Sequence, residues 1–331
     1  MSSAASSLNE FSRLLFICSS TAICFFGVLG SCANLYLFTK RRYRQSPCSL
    51  YIWMGSLFDL GLLFIALVMT RIPISILQRD TLGQILIFCK LRIYLLNVLV
   101  PVPTWTVCFS AFDRMCITSR DVAHRQWSTT KRAQWIIAIL IILSLLYRAP
   151  DLYYWVLLPT ATSFVCTISP SAVVYTNIQI YFSFPVLYST APIIVLIALG
   201  LRTRLNLRQF AARSTGSRLE RQMTLMVLLQ SLGNTCLIPY TINLFYTLTT
   251  IGMVRSEWRM AVENLISQFA LLSFYINYAS PFYIYLIASS DVRASVRLEW
   301  QTIRGKMRRS NRIAPVSATA HGQTGLETSA H

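Results

Sequence analysis

The chain has 331 residues, 54% of them hydrophobic and only 13% charged, a balance too apolar for a water-soluble domain of this length. A formal net charge of +18 would suit a nucleic-acid binder, but the basic residues stand in short clusters between long apolar runs, which argues against nucleic acid and for a lipid bilayer as the partner. The nine cysteines lie mostly inside apolar runs, without CxxC spacing or Cys/His clusters. That argues against a metal site or a disulfide-rich scaffold, and no cofactor is expected.

Residues 1–13 carry one Glu and one Arg and are read as a short extracellular N-terminus. The apolar run that follows is long enough for a spanning helix rather than a cleaved signal peptide. Stretches able to cross the hydrocarbon layer fall at about 14–38, 49–70, 89–117, 132–149, 180–201, 222–248 and 264–287. The fold class this predicts is an all-α membrane protein, a seven-transmembrane-helix bundle over residues 14–288. The fourth stretch is the weakest, because Arg148 and Asp151 follow its short apolar core at once, and a re-entrant reading stays open. Lys131 and Arg132 can snorkel to one interface, while Pro150, Tyr153, Tyr154 and Trp155 suit the other.

Basic clusters follow the first stretch (Lys40, Arg41, Arg42, Arg44) and the third (Arg114, Arg120, Arg125). Others lie between the fifth and sixth (Arg202 through Arg221) and in the tail from Arg293. By the positive-inside rule these segments are cytoplasmic and the N-terminus is outside. Residues 289–331 are read as cytoplasmic. Val292, Val296, Trp300 and Ile303 recur at helical spacing among arginines, as in an amphipathic helix on the inner leaflet, with a solvated basic tail as the alternative. Beyond Ser310 the composition predicts disorder.

Polar residues inside apolar helices are costly and therefore informative. Gly30 and Asn34 lie in the first helix, and Asp59 within Phe58-Asp59-Leu60 in the second. Cys89 opens the third helix and Asp113-Arg114-Met115 closes it. Pro192 lies in the fifth, Cys236-Leu237-Ile238-Pro239 in the sixth and Ser280-Pro281-Phe282-Tyr283-Ile284-Tyr285 in the seventh. This ordered set resembles the rhodopsin-like (class A) G-protein-coupled receptors over residues 14–309, and the ending of helix seven looks most like invertebrate FMRFamide-type neuropeptide receptors. The resemblance implies a plasma-membrane receptor, not an enzyme, that binds an extracellular ligand and activates a heterotrimeric G protein.

The resemblance assigns roles to particular residues. Cys89 is expected to pair with Cys166 in a disulfide, both facing the oxidising exterior. Asp113 and Arg114 form the activation switch, with Glu220 as a possible second partner for Arg114 and Tyr285 as the helix-seven Tyr. Aligning on Pro281 would instead put Ile284 at that position; Tyr285 keeps the usual step to Val292. Met115 and Leu237 replace the usual Tyr and toggle Trp, and Leu140 or a neighbour the helix-four Trp. The family binds sodium at Asp59, but Pro103 and the lost helix-seven Asn make that site doubtful here, and a proton-sensitive hydrogen-bonded core is the alternative.

Leu96 stands where aminergic receptors carry Asp, and helix seven has no Lys for a retinal Schiff base. Candidate ligand-pocket residues are Leu96, Tyr181, Gln230, Tyr240, Asn243, Gln268 and Tyr275, a mixed aromatic and amide set that suits a peptide. The competing function is an ion- or proton-coupled transporter relaying through Asp59, against which stand the missing internal repeat and the lone intramembrane acid.

Overall fold

In hydrocarbon a backbone N–H or C=O finds no partner outside the protein, so apolar runs of this length fold as helices. The computed structural model describes residues 2–40, 43, 46–159, 164–210, 218–250 and 253–312. Its spanning helices are α1 (Ser2–Phe38), then α2 (Pro47–Leu77), α3 (Leu86–Thr118), α4 (Thr130–Tyr154), α5 (Val173–Asn206) and α6 (Thr224–Thr247). The seventh, α7, is a bent pair, Glu257–Ala279 and Pro281–Ala288, meeting at 55°. Helix α8 (Ser290–Arg312) follows.

The seven expected spans are all present, with shifted limits. Helix α1 begins at Ser2, so the segment read as a short extracellular N-terminus is helical and continuous with the first span. Helix α7 starts at Glu257 rather than near residue 264, because the Ser256 side chain caps it by accepting from the Arg259 N–H at 3.3 Å. The fourth stretch is long enough to span and is not re-entrant by length, since it runs on to Tyr154. Between α4 and α5 a two-stranded antiparallel hairpin forms, β1 (Trp155–Pro159) and β2 (Phe164–Ile168).

Prolines mark where the helices deviate. In α2 the stretch Phe64–Arg71 before Pro73 widens into π turns, and Thr70 Oγ1 donates to the Ile65 carbonyl, five residues back, at 2.8 Å. In α5 the same widening covers Gln179–Thr190 around Pro185. Each proline lacks an N–H, and the turn relaxes to satisfy what it leaves. Helix α3 breaks at Pro101, and the Tyr278 hydroxyl donates to the Val100 carbonyl at 3.3 Å. In α6 a tight turn at Asn234–Cys236 precedes Pro239, and Ser273 Oγ donates to the Cys236 carbonyl at 2.5 Å.

Helix α3 runs through the middle of the bundle, touching α2, α4, α5 and α6. Large apolar side chains such as Phe25, Trp135, Leu146 and Ile287 point outward, as a lipid-facing surface requires. Between helices lipid supplies no hydrophobic gain, so close packing does the holding. Gly27 shows this where α1 meets α2 and α7: a Cβ there would lie 2.6 Å from Leu63 Cδ1 and 2.8 Å from Ala279 Cβ. At the other end Gln222 ties α6 to α8, accepting from Ser289 Oγ at 2.6 Å and the Asp291 N–H at 3.0 Å. Glu299 of α8 takes a hydrogen bond from Tyr36 at 2.7 Å and pairs with Lys40.

Gly27→Val is expected to destabilise the bundle by about 1–3 kcal/mol through overpacking. Gly305→Ala in α8, where a Cβ would meet nothing within 4 Å, should be neutral or slightly stabilising. Thermal unfolding of the purified variants in detergent compares the two.

Candidate functional site

The hairpin is held over one end of the bundle. Cys166 sits on β2 opposite Leu157, and its sulfur is bonded to that of Cys89 at the start of α3. This is the expected pair. Below it a cavity of about 310 Å³ opens between α2, α3, α5, α6 and α7.

Of the expected pocket residues, Leu96, Tyr240 and Tyr275 line this cavity. The other four do not. Tyr181 is 64% exposed on the outer face of α5, because the widened turns of that helix rotate Phe184 and Tyr188 inward in its place. Gln230 is buried one level deeper. Asn243 accepts from Ser267 Oγ at 3.1 Å in a separate groove between α6 and α7. Gln268 lies with Asn9 and Glu10 of α1, in a cleft made by the unforeseen helical N-terminus. The cavity's aromatic wall is a cluster around Phe274, whose ring centroid lies 4.8 Å from Tyr240, 5.4 Å from Tyr275 and 4.9 Å from Tyr278.

Charged residues surround the cavity. Arg92, on its wall, donates to both oxygens of Asp80, at 2.8 and 2.5 Å. Partial burial disfavours the charged form of Asp80, but Arg92 and the Gly83 N–H outweigh it and hold the carboxyl below its usual value. Behind the wall Arg148 and Asp151 are 1% and 0% exposed, with Arg148 Nε 3.4 Å from Asp151. Arg148 donates to Gln179 and lies over the rings of Phe184 and Tyr188, 5.7 and 5.5 Å from their centroids. Asp151 accepts from Asn97 at 3.0 Å and from Tyr175. Sequence reasoning gave Asp80, Arg92, Arg148 and Asp151 no site role, although a charge within or beside an apolar span was the available signal for the last three.

Removing one member of a buried pair strands the other, so Asp151→Ala is expected to cost about 3–5 kcal/mol. Replacing both as Arg148→Met with Asp151→Leu should recover most of that loss. Melting curves of the single and double variants measure the difference.

Deeper in the bundle Asp59 is buried beside a cavity of about 20 Å³, the space one water needs. Asn34 Nδ2 donates to Ser56 Oγ nearby at 3.1 Å. Thr104, Gln230, Asn234 and Asn277 line the same cavity with Pro103, Pro281 and Tyr285. Gln230 Oε1 and Asn277 Oδ1 are buried without a protein hydrogen bond. One carboxylate with neutral oxygens is a donor set suited to water or a small hard cation. Tyr285 is buried with its ring against Phe38, centroids 6.1 Å apart. Cys108 Sγ of α3 lies 3.8 Å from the carbonyl of Pro192 in α5.

At the far end of α3 Arg114 is 2% exposed and its Nη2 lies 2.6 Å from Asp113 Oδ2. The other oxygen of Asp113 accepts from Ser128 Oγ at 2.5 Å. Ser128 follows a short helix, Val122–Trp127, whose first turn is capped by Asp121. Arg114 Nη2 also reaches Ser46 Oγ at 3.5 Å, before α2. Glu220 falls in the first turn of the helix Arg218–Gly233, and its side chain lies outside the described residues.

Seven spans with a disulfide-tethered hairpin over a cavity at one end and a buried Asp-Arg pair at the other are the architecture of a membrane receptor bundle. The sequence matches the family model described as 7 transmembrane receptor (rhodopsin family) over residues 31–287, and the chain belongs to that family. It is therefore a multi-pass membrane protein of a receptor family, not an enzyme. No curated protein matches the sequence.

Proposed function

We propose that the chain is a plasma-membrane receptor with an extracellular N-terminus that binds a peptide in the cavity under the hairpin and activates a heterotrimeric G protein at the opposite end. One observation carries this reading. A single helix, α3, contributes Leu96 to the cavity and Asp113-Arg114 to the far end, with a proline break between them. The aromatic lining suits a peptide, whose side chains anchor in such pockets. Its likeness in sequence to FMRFamide-type receptors points the same way.

The chemistry of the switch is electrostatic. A buried, charge-assisted pair holds Arg114 against its own helix in this arrangement, and Ser128 holds Asp113 from the loop. Release of Arg114 would present its guanidinium to a partner at the cytoplasmic face. Asp113→Asn removes the charge from a bond worth about 1.5–3 kcal/mol. If half of that is differential between states, the equilibrium moves about fivefold.

Basal nucleotide exchange should therefore rise in Asp113→Asn and, to a smaller extent, in Ser128→Ala, while Arg114→Ala should lower ligand-stimulated exchange with binding kept. GTPγS incorporation at matched surface expression reads all three. Unchanged basal exchange in Asp113→Asn together with normal coupling in Arg114→Ala would leave the pair a topology signal alone.

Topology has its own test. An epitope tag inserted at Ala5 should be reached by antibody on intact cells, and one at Ala320 only after permeabilisation.

A further inference from the structure

Three arginines surround the cavity under the hairpin: Arg71 and Arg92 on its wall and Arg148 behind it. Arg92 is held by Asp80 at 2.5 Å and Arg148 lies 3.4 Å from Asp151. Arg71 is different. Among the described residues no carboxylate lies within ion-pair distance of it, and no acidic side chain lines the cavity. Asp80, whose carboxylate feels the charge of Arg71, is already engaged by two Arg92 nitrogens and the Gly83 N–H.

Arg71 is also accessible, unlike Arg148. It ends the widened stretch of α2 before Pro73, which sets its side chain at the rim of the cavity. The phenols of Tyr240 and Tyr275 are close enough to interact with its charge. A guanidinium presents several donors in a planar fork that matches a carboxylate. Two neutral hydroxyl groups beside it can donate to the same anion. A cationic terminus of a ligand would meet the like charge of Arg71 and find no carboxylate among the described residues that line the cavity.

Resting on the receptor reading above, we propose that Arg71 anchors a carboxylate of the ligand, with Tyr240 and Tyr275 as the flanking donors. The peptide it takes then carries a free C-terminus or an acidic side chain.

The test uses the purified full-length chain in nanodiscs and four probe sets, read by thermal stabilisation. They are pentapeptide pools with free C-termini and no acidic residue, the same pools amidated, amidated pools containing one Glu, and a panel of four- to eight-carbon mono- and dicarboxylic acids. Stabilisation by the free-acid pool or the Glu pool, with none from the plain amidated pool, is the expected result. Arg71→Gln should weaken it about ten- to a hundredfold, and Arg71→Lys should recover part of the loss. Stabilisation by the small acids alone, lost in Arg71→Gln, keeps the carboxylate anchor and removes the peptide. Equal stabilisation by the amidated pool, binding that survives Arg71→Gln at wild-type affinity, or no stabilisation by any set overturns the proposal. Nucleotide exchange on the same samples separates the two readings. Carboxylate-dependent binding without exchange would sink the signalling function and leave the anion site, and exchange driven by the amidated pool would do the reverse.

Discussion

Hydrocarbon offers no hydrogen-bond partner, so a polar group inside the bundle must find its partner within the protein, and this constraint orders the interior from one end to the other. Two buried charges at each end are paired for this reason, Asp113 with Arg114 and Asp151 with Arg148, while Asp59 between them is surrounded by neutral polar groups. The proline breaks obey the same rule. Tyr278 serves the Val100 carbonyl and Ser273 the Cys236 carbonyl, each reaching across from α7 to a disturbed turn in a neighbouring helix. Where a break would otherwise expose backbone, a hydroxyl from another span closes it, and the helices are locked together at that point.

The parts of this organisation that depend on length and local chemistry were legible in the sequence. A spanning helix announces itself by about twenty apolar residues, and the family resemblance marks the two ends of α3 at Cys89 and Arg114. The limits of α1 and α7 were not, because Ser2–Phe38 begins among serines and alanines that carry no hydropathy signal, and the Ser256 cap lies outside the apolar run. The cavity lining depends on rotation about each helix axis, which composition does not encode. Tyr181 and Tyr188 lie on the same helix. The widened turns of Gln179–Thr190 shift their phase, so one faces outward and the other lines the cavity. Gln230 shows the same limit along the axis, since a single turn of depth separates the ligand cavity from the small polar chamber at Asp59.

The departures from the family's usual residues have a physical counterpart. Leu237, read from the resemblance as the toggle position, is buried in the apolar cluster with Tyr275 and Tyr278, so the floor of the cavity is an aliphatic side chain against aromatic rings. Tyr278 bridges levels there. It lines both the upper cavity and the polar chamber, and its hydroxyl bonds to α3 at the break. Displacing Tyr278 would disturb three things together: the cavity floor, the chamber beside Asp59 and the Val100 carbonyl.

That coincidence gives α3 a mechanical reading. A helix broken at Pro101 and Pro103 has two rigid halves, one carrying Leu96 and Asn97 and the other Asp113 and Arg114. The upper half is pinned by the Cys89–Cys166 bond and by Asn97 on Asp151. The lower half packs against α2, α4, α5 and α6, and its Asp113 and Arg114 are held in addition by hydrogen bonds to Ser128 and Ser46. Hydrogen bonds of this kind contribute about 0.5–1.5 kcal/mol each when neutral and about 1.5–3 when charged, whereas a two-state shift from 1:99 to 99:1 needs roughly 5.5 kcal/mol of differential interaction. The lower pins together lie in the same range as that requirement. The two halves of α3 are thus attached differently, the upper by a covalent bond to the hairpin and the lower by packing against its neighbours together with the charge-assisted contacts of Asp113 and Arg114.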